Sequence, residues 1–208
     1  MESKAEMPTV TTNAFFRFFI SHSTKDPTQL RRLNGAVFPI QYNESFYQDI
    51  LKRPNPELNK FAYWHGIVVG AVCTRFEDTG DGRQRLYIMT LAVFAAYRGR
   101  GIGSQLLQSI LNYCDEHRIA SEISLHVQVS NQGAIDFYTQ RFAFTLGERV
   151  DNYYRRIDPP HCYRLYKVLE MRPASHVDGE QSNNDERATD ASATNSGGPA
   201  EIDVKPKS

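Results

Sequence analysis

Glycine and arginine alternate in residues 98–104, a short segment with the sequence R-G-R-G-I-G-S that is suited to binding a phosphate group. The segment follows an apolar run and precedes an amphipathic one, so we predict that it joins a strand to a helix. At such a junction, free backbone N–H groups and the positive end of the helix dipole attract an anion. Glycines also let a phosphate approach the backbone closely. An ordinary tight turn explains the glycine spacing equally well, and both interpretations stay open at this point.

The same segment lacks the two common nucleotide-binding motifs. A P-loop would end in Gly-Lys-Ser or Gly-Lys-Thr, and a dinucleotide-binding turn would have the spacing G-x-G-x-x-G. These glycines have the spacing G-x-G-x-G and no lysine follows them. Neither ATP nor NAD is therefore favoured as the ligand.

A histidine and a tyrosine on two predicted strands are candidates for proton transfer. Alternation places Tyr87, Met89 and Leu91 on one face of their strand, and it places His126 on the face opposite its apolar neighbours. If the two strands are parallel neighbours, Tyr87 and His126 reach the same cleft. An imidazole with a pKa near 6.5 is suited to accepting a proton near neutral pH. Taken alone, however, a histidine in a buried strand is more often a core residue, and a strand tyrosine usually only packs.

The elements that must position these residues follow an order typical of an α/β protein. Apolar alternation and helical periodicity predict strands at residues 15–21, 60–65, 67–76, 85–94, 123–129, 142–150 and 162–169, and helices at 27–38, 43–51, after 101 and at 131–140. The phosphate turn and the His126 strand then belong to one β-α-β-α stretch. This order predicts a mixed sheet flanked by helices.

Composition and charge restrict the function classes. The 208 residues have no net charge, but residues 1–170 carry 20 Lys and Arg against 17 Asp and Glu, and residues 171–208 carry 4 against 7. A surplus of three positive charges is too small to indicate nucleic-acid binding. The three cysteines have no metal-ligand spacing, so we expect reduced thiols, no metal and a cytoplasmic protein. We expect no membrane segment and no leader.

The chain is predicted to divide into one domain and two flexible ends. Residues 1–14 form a flexible N-terminus, 15–171 the folded domain, and 172–208 an acidic tail without aromatic residues, which cannot bury enough surface to fold.

Three motifs in order resemble the Gcn5-related N-acetyltransferase (GNAT) superfamily. They are L-Y-I-M-T-L-A-V, then R-x-x-G-x-G, then L-H-V-Q-V-S-N-x-x-A-I-x-F-Y, and the likeness extends over about residues 30–169. Two further motifs, F-P-I-x-Y at 38–42 and N-Y-Y-R-R-I at 152–157, resemble the NatE-type branch, whose members acetylate protein N-termini. The resemblance implies the GNAT fold, an α/β structure with a mixed, mostly antiparallel sheet of about seven strands and about four helices.

The resemblance also implies acetyl-CoA as cosubstrate and assigns residues to it. Backbone N–H groups of the turn would bind the pyrophosphate, the preceding strand would pair with the pantetheine arm and offer an N–H to the thioester oxygen, and Tyr138 would protonate the departing thiolate. The implied residues are Leu91, Ala92, Val93, Arg98, Gly99, Arg100, Gly101, Ile102, Gly103, Ser104, Asn131 and Tyr138.

For the acceptor, the resemblance implies Tyr87 and His126 as general bases, acting through ordered water, and a pocket for an initiator methionine followed by an apolar residue. The substrate residues would be Phe38, Pro39, Ile40, Tyr42, Met89, Tyr153, Tyr154 and Ile157. An α-amino group is about 3.5 kcal/mol easier to deprotonate than a lysine side chain, which suits a His/Tyr pair. A lysine or small-amine acetyltransferase and a non-catalytic subunit remain alternatives.

The likeness further implies partners: a peptide or nascent-chain N-terminus, and a NatA-type acetyltransferase complex with the ribosome. No direct nucleic-acid binding is expected, and a nuclear pool could accompany the cytoplasmic one.

Two departures from the family pattern stand out. Ile40 replaces a common valine, and Ala143 stands where glycine is usual, with one additional residue before it. Because a left-handed Ala143 would cost about 1 kcal/mol, we expect this turn to form differently.

Overall fold

A seven-stranded sheet with helices on both faces forms the domain in the computed structural model, which describes residues 19–21, 27–52, 56–80, 83–155 and 157–169. The strands are β1 (Phe19–Ser21), β2 (Lys60–Trp64), β3 (Ile67–Asp78), β4 (Gln84–Val93), β5 (Glu122–Gln128), β6 (Thr145–Val150) and β7 (Cys162–Val168). The helices are α1 (Pro27–Val37), α2 (Glu44–Lys52), α3 (Ile102–His117) and α4 (Gln132–Phe142), with 3-10 turns at Pro56–Leu58 and Ala95–Tyr97. The α/β class is confirmed.

Sequence signals account for the ends of several helices. Asn43 caps α2, since its side-chain oxygen accepts a hydrogen bond from the Phe46 N–H at 3.0 Å. Helix α1 starts at Pro27, as a proline at the first helical position favours, and stops before the Phe38-Pro39 pair. The predicted Asp26 cap, residues 15–18 of the first strand, the N-terminus and the acidic tail lie outside the described residues.

The sheet order is β1-β2-β3-β4-β5-β7-β6, and the pairing is antiparallel except between β4 and β5. Helix α3 makes the crossover that these two parallel strands require. Their ladder is short: it pairs Arg85 with Glu122, Leu86 with Ile123 and Tyr87 with Ser124. Beyond Tyr87 the described strands form no further pairs with each other. The ends of β4 and β5 therefore separate.

Each face of the sheet has its own apolar core. One core contains Leu106, Leu107 and Ile110 of α3, packed with Leu86 and Ile123 of the sheet. The other contains residues of α1 and α2 packed on β2, β3 and β4, among them Leu30, Leu33, Phe46, Phe61 and Val68. The cysteines are all buried, and none of them forms a disulfide. Among the described helices, none is long and apolar enough to cross a membrane.

A bulge in β4 corrects one expectation. The register shifts where Cys73 pairs with Thr90 but Thr74 pairs with Ile88, so Met89 is an additional residue on β4. Alternation changes phase there: Met89 packs with the α1/α2 core and Leu91 with the α3 core. The prediction that Tyr87, Met89 and Leu91 share one face is therefore wrong for Leu91.

The end of α4 corrects a second expectation, which concerned the turn at Ala143. Ala143 adopts the left-handed conformation, with φ 53° and ψ 42°, so the expectation that the turn would avoid it is wrong. The additional residue widens the last turn instead, because the N–H groups of Ala143 and Phe144 both donate to the Tyr138 carbonyl. Strand β6 then pairs with β7 from Thr145 onward.

Candidate active site

The glycine segment forms the anticipated strand-to-helix turn. Gly99 and Gly101 both have positive φ, 73° and 80°, and Gly101 is the N-cap of α3. The residue at the N-cap of a helix usually bonds the first N–H groups through its side chain, but Gly101 makes no such bond. These donors are available to a phosphate at the positive end of the helix dipole.

Arg98 contributes to the shape of this turn. Its Nε donates a hydrogen bond to the Val93 carbonyl oxygen at 3.0 Å. This bond ties the turn back to the end of β4, the strand expected to pair with the pantetheine arm.

A cavity of about 860 Å³ opens at the turn. It is lined by ten of the twelve residues assigned to the cosubstrate: Leu91, Val93, Arg98, Gly99, Gly101, Ile102, Gly103, Ser104, Asn131 and Tyr138. The other two do not line it. The Ala92 side chain packs in the α1/α2 core, so only its backbone can face a ligand there, and Arg100 is exposed.

A second cavity, of about 180 Å³, adjoins the first. It is lined by Tyr87 and His126 and by all eight residues assigned to the peptide, Phe38, Pro39, Ile40, Tyr42, Met89, Tyr153, Tyr154 and Ile157. Leu91, Asn131 and Tyr138 line both cavities. A group extending from the glycine turn past Leu91 would therefore reach the Tyr87–His126 pair.

The parallel pairing of β4 and β5 brings the pair together. Tyr87 lies opposite Ser124, and His126 is two residues further on the same face of β5. The Tyr87 Oη is 3.0 Å from His126 Nδ1. Tyr153, expected only to bind peptide backbone, is a third member, because its Oη is 3.3 Å from Tyr87 Oη. Its ring stacks on the imidazole.

Burial determines the charge of these groups. It lowers the pKa of His126 to about 4, against an ordinary value of 6.5. Burial, followed by the neighbouring Tyr153, raises the pKa of Tyr87 well above 10. At neutral pH the imidazole is therefore neutral and the phenol is protonated. The expectation that His126 titrates near neutrality is wrong, because desolvation disfavours the imidazolium ion.

Tyr138 is a buried phenol in the wall of both cavities. It is 5% exposed, and burial raises its pKa above the ordinary value of a phenol. The hydroxyl therefore keeps its proton at neutral pH.

Asn131 has a structural role in addition to lining the cavities. Its side-chain oxygen accepts a hydrogen bond from the Ala134 N–H and so caps α4.

Sequence reasoning missed a charged network beside the pair. The Arg75 guanidinium lies over the Tyr87 ring, 4.9 Å from its centroid, and bonds Glu77. The Glu77 carboxylate also accepts from Arg85 at 2.8 Å. Cross-strand pairing produces this arrangement, because Arg75 is opposite Tyr87 and Glu77 is opposite Arg85. The alternation of charged residues on β3 and β4 was the sequence signal that could have revealed this network.

In the described parts of the chain, no group of three or more His, Cys, Asp or Glu side chains is placed to hold a metal ion.

Comparison with known proteins agrees with this geometry. Residues 27–144 match the acetyltransferase (GNAT) family. N-alpha-acetyltransferase 50 of Danio rerio is 47% identical over 152 residues, 73% of this chain and 88% of the relative. The probable N-acetyltransferase san of Drosophila melanogaster is 44% identical over 141 residues, 68% of this chain and 74% of the relative.

A solved structure is also similar. Arabidopsis thaliana Naa50, bound to the bisubstrate analogue CoA-Ac-MVNAL, superposes with a TM-score of 0.66 at 40% identity, covering 73% of this chain and 99% of that one. By fold, site geometry and similarity to these relatives, the chain belongs to the acetyltransferase (GNAT) family.

Proposed function

We propose that this protein acetylates peptide N-termini that begin with methionine followed by an apolar residue, with Tyr87 and His126 relaying the amine proton. The protein is an N-terminal acetyltransferase that uses acetyl-CoA, as its similarity to the relatives named above indicates. The observation that carries the finer proposal is the Tyr87–His126 contact, because both residues line the small cavity, which shares Leu91, Asn131 and Tyr138 with the large one.

The chain supplies a binding residue or a proton at each stage of transfer. The glycine turn binds the pyrophosphate, and the separated end of β4 offers backbone N–H groups that orient the thioester and stabilise its oxygen as charge develops. The α-amine attacks the thioester carbonyl carbon, a C–N bond forms and the C–S bond breaks. Tyr138 gives its proton to the departing thiolate. The amine proton passes through water to the pair formed by Tyr87 and His126.

The low pKa of His126 favours an α-amine over a lysine as the acceptor. A neutral imidazole with a pKa of about 4 is a weak base, so it cannot readily remove a proton from a lysine ammonium whose pKa is about 10.4. An α-amino group, with a pKa of about 8, is already partly neutral at pH 7. The pair then needs only to accept the proton released after attack.

The aromatic residues around the small cavity support the peptide preference. Phe38, Pro39 and Ile40 offer an apolar wall for the first side chain, and Tyr42, Tyr153 and Tyr154 offer hydroxyls to the peptide backbone. The Arabidopsis analogue begins with Met-Val, an apolar dipeptide of the proposed kind.

Acetyl transfer to a peptide panel tests this proposal. The peptides vary at the first two residues, and an N-terminally blocked peptide with one internal lysine is the control. We expect the highest kcat/KM for Met followed by Val, Leu or Ile, and little transfer to the blocked peptide. Transfer to the blocked peptide alone would favour the lysine acetyltransferase alternative and overturn the proposal.

We also propose, on the basis of family resemblance, that the protein associates with a NatA-type acetyltransferase complex at the ribosome, in the cytoplasm and with a nuclear pool. The proposed domain spans residues 15–171. Co-sedimentation of tagged protein with ribosomes tests the association, with a variant lacking residues 172–208 as comparison. Absence of the full chain from the ribosome fraction would contradict it.

A further inference from the structure

One arginine on the rim of the large cavity has no role in the function described so far. Arg141 is exposed, lies in the last turn of α4 and lines the large cavity. Within the described parts of the chain, its guanidinium has no hydrogen bond, ion pair or ring contact. The other cavity-lining arginine, Arg98, bonds the Val93 carbonyl.

The position of Arg141 along α4 is informative. Asn131, Ala134, Tyr138 and Arg141 all line the large cavity, and their spacing of three or four residues places them on one face of the helix. The first three also line the small cavity with the Tyr87–His126 pair, whereas Arg141 lines only the large one. Arg141 thus extends the cavity wall away from the thioester, toward the end that must hold the nucleotide.

Acetyl-CoA carries two separate anionic groups, and a cation on the cavity rim suits the one that the glycine turn does not bind. The pyrophosphate is accounted for by the glycine turn. The ribose phosphomonoester carries a further charge of about −1.5 to −2 at pH 7. Arginine is suited to this group because its guanidinium binds phosphate oxygens in pairs. We propose that Arg141 binds the ribose phosphate of acetyl-CoA and makes the protein select coenzyme A over its dephospho form.

Two neighbouring features bear on this proposal. Asp136 also lines the cavity, but its carboxylate accepts hydrogen bonds from Gln132 and Gln140, at 2.8 and 3.2 Å, which reduce its repulsion of a phosphate. Arg141 also lies within the widened last turn of α4, where the Ala143 and Phe144 N–H groups both donate to the Tyr138 carbonyl. A competing explanation is that Arg141 only complements the negative end of the helix dipole.

Ligand binding separates these explanations. Calorimetry would measure the Kd of coenzyme A and of 3′-dephospho-coenzyme A for the full chain, for Arg141→Ala and for Arg32→Ala. Arg32 is an exposed residue of α1 outside both cavities, so its removal changes the net charge equally. We expect Arg141→Ala to weaken coenzyme A binding about tenfold, as loss of a charged hydrogen bond would. Binding of the dephospho form should stay within about twofold, and Arg32→Ala should affect neither ligand.

Equal weakening of both ligands by Arg141→Ala would mean that the arginine acts on the pyrophosphate or the general field, and would overturn the proposal. Unchanged binding of both would leave only the dipole role and would overturn it as well. The inference relies on acetyl-CoA as cosubstrate but not on the acceptor. Because the measurement contains no peptide, failure of the proposed peptide specificity would not affect its result.

Discussion

The ring of Tyr153 lies nearly parallel to the His126 imidazole, with 4.6 Å between the centroids and 21° between the planes. The same side chain places its hydroxyl 3.3 Å from that of Tyr87. The segment between β6 and β7 therefore contributes to the geometry of a pair carried by β4 and β5.

Two substitutions separate the contributions of Tyr153. Tyr153→Phe keeps the stacked ring and removes the hydroxyl, so kcat should fall by no more than about fivefold, the cost of one neutral hydrogen bond. Tyr153→Ala removes the ring and lets water reach His126, so kcat should fall by at least about tenfold. Steady-state kinetics with a Met-Val peptide measures both. Equal losses in the two variants would contradict a role for the stacked ring.

The Tyr87–His126 pair should matter for chemistry and not for acetyl-CoA. In Tyr87→Phe and His126→Gln, kcat should fall by about 10²-fold or more, as expected for loss of proton transfer. Calorimetric binding of acetyl-CoA should stay within about twofold, because neither residue lines the large cavity. Normal turnover in both variants would refute their assignment as proton acceptors.

The depressed pKa of His126 should make stability depend on pH. The unfolded chain binds a proton at this residue near pH 6.5, whereas the folded chain does so only near pH 4. His126 thus contributes stability that is present above pH 6.5 and is lost as the pH falls to 4, up to about 3 kcal/mol. Urea unfolding at several pH values should show this loss in the native protein relative to His126→Gln. Parallel curves for the two proteins would mean that His126 titrates normally.

Gly103 tests whether the turn binds an anion. A Cβ there would lie 3.7 Å from Val93 Cγ2 and 3.8 Å from Phe137 Cζ, which is ordinary contact, so Gly103→Ala should fold and bind acetyl-CoA. Gly103→Asp places a carboxylate in the first turn of α3, where the helix dipole tolerates it but a pyrophosphate does not. We expect an unchanged Tm and at least a hundredfold weaker binding. Loss of binding in the alanine variant too would indicate a steric effect.

Ala143 should be improved by glycine. Because its left-handed conformation is unfavourable for a residue with a Cβ, Ala143→Gly should stabilise the protein by about 1 kcal/mol or slightly less. Thermal unfolding measures the gain. Ala36→Gly, at a helical position of α1, should instead lower Tm. A destabilised Ala143→Gly would show that the left-handed turn does not form in solution.

Local sequence patterns predicted where the candidate site lies, but they did not predict the register of its strands or the pKa values of its residues. The glycine turn and α3 followed from local patterns, since glycine spacing and apolar periodicity are properties of adjacent residues. The parallel pairing of β4 and β5 was only a condition of the sequence argument, and the structure shows it. The bulge at Met89 was not predictable, because it depends on how β3 and β4 pair and leaves no signature in β4 alone.

The electrostatics of the site were missed for a related reason. The pKa of His126 depends on burial by Tyr153 and other residues far away in sequence, and a motif containing the histidine carries no information about desolvation. At Ala143, a local rule gave the wrong answer because the widened turn, bonded to the Tyr138 carbonyl, outweighs the preference of one residue.

The short ladder between β4 and β5 has a consequence for the bound state. After the pairing of Tyr87 with Ser124, two neighbouring strands stop exchanging hydrogen bonds, and their facing edges become the walls of a cavity. The sheet is therefore incomplete until ligands occupy the gap, and pantetheine and peptide would act as its missing segments, in the manner of β-augmentation. Residues 88–91 also pair with β3 and residues 125–128 with β7, so only their amide hydrogens that face the gap lack a strand partner. These gap-facing amides should exchange quickly in the free protein and slowly when both substrates are present.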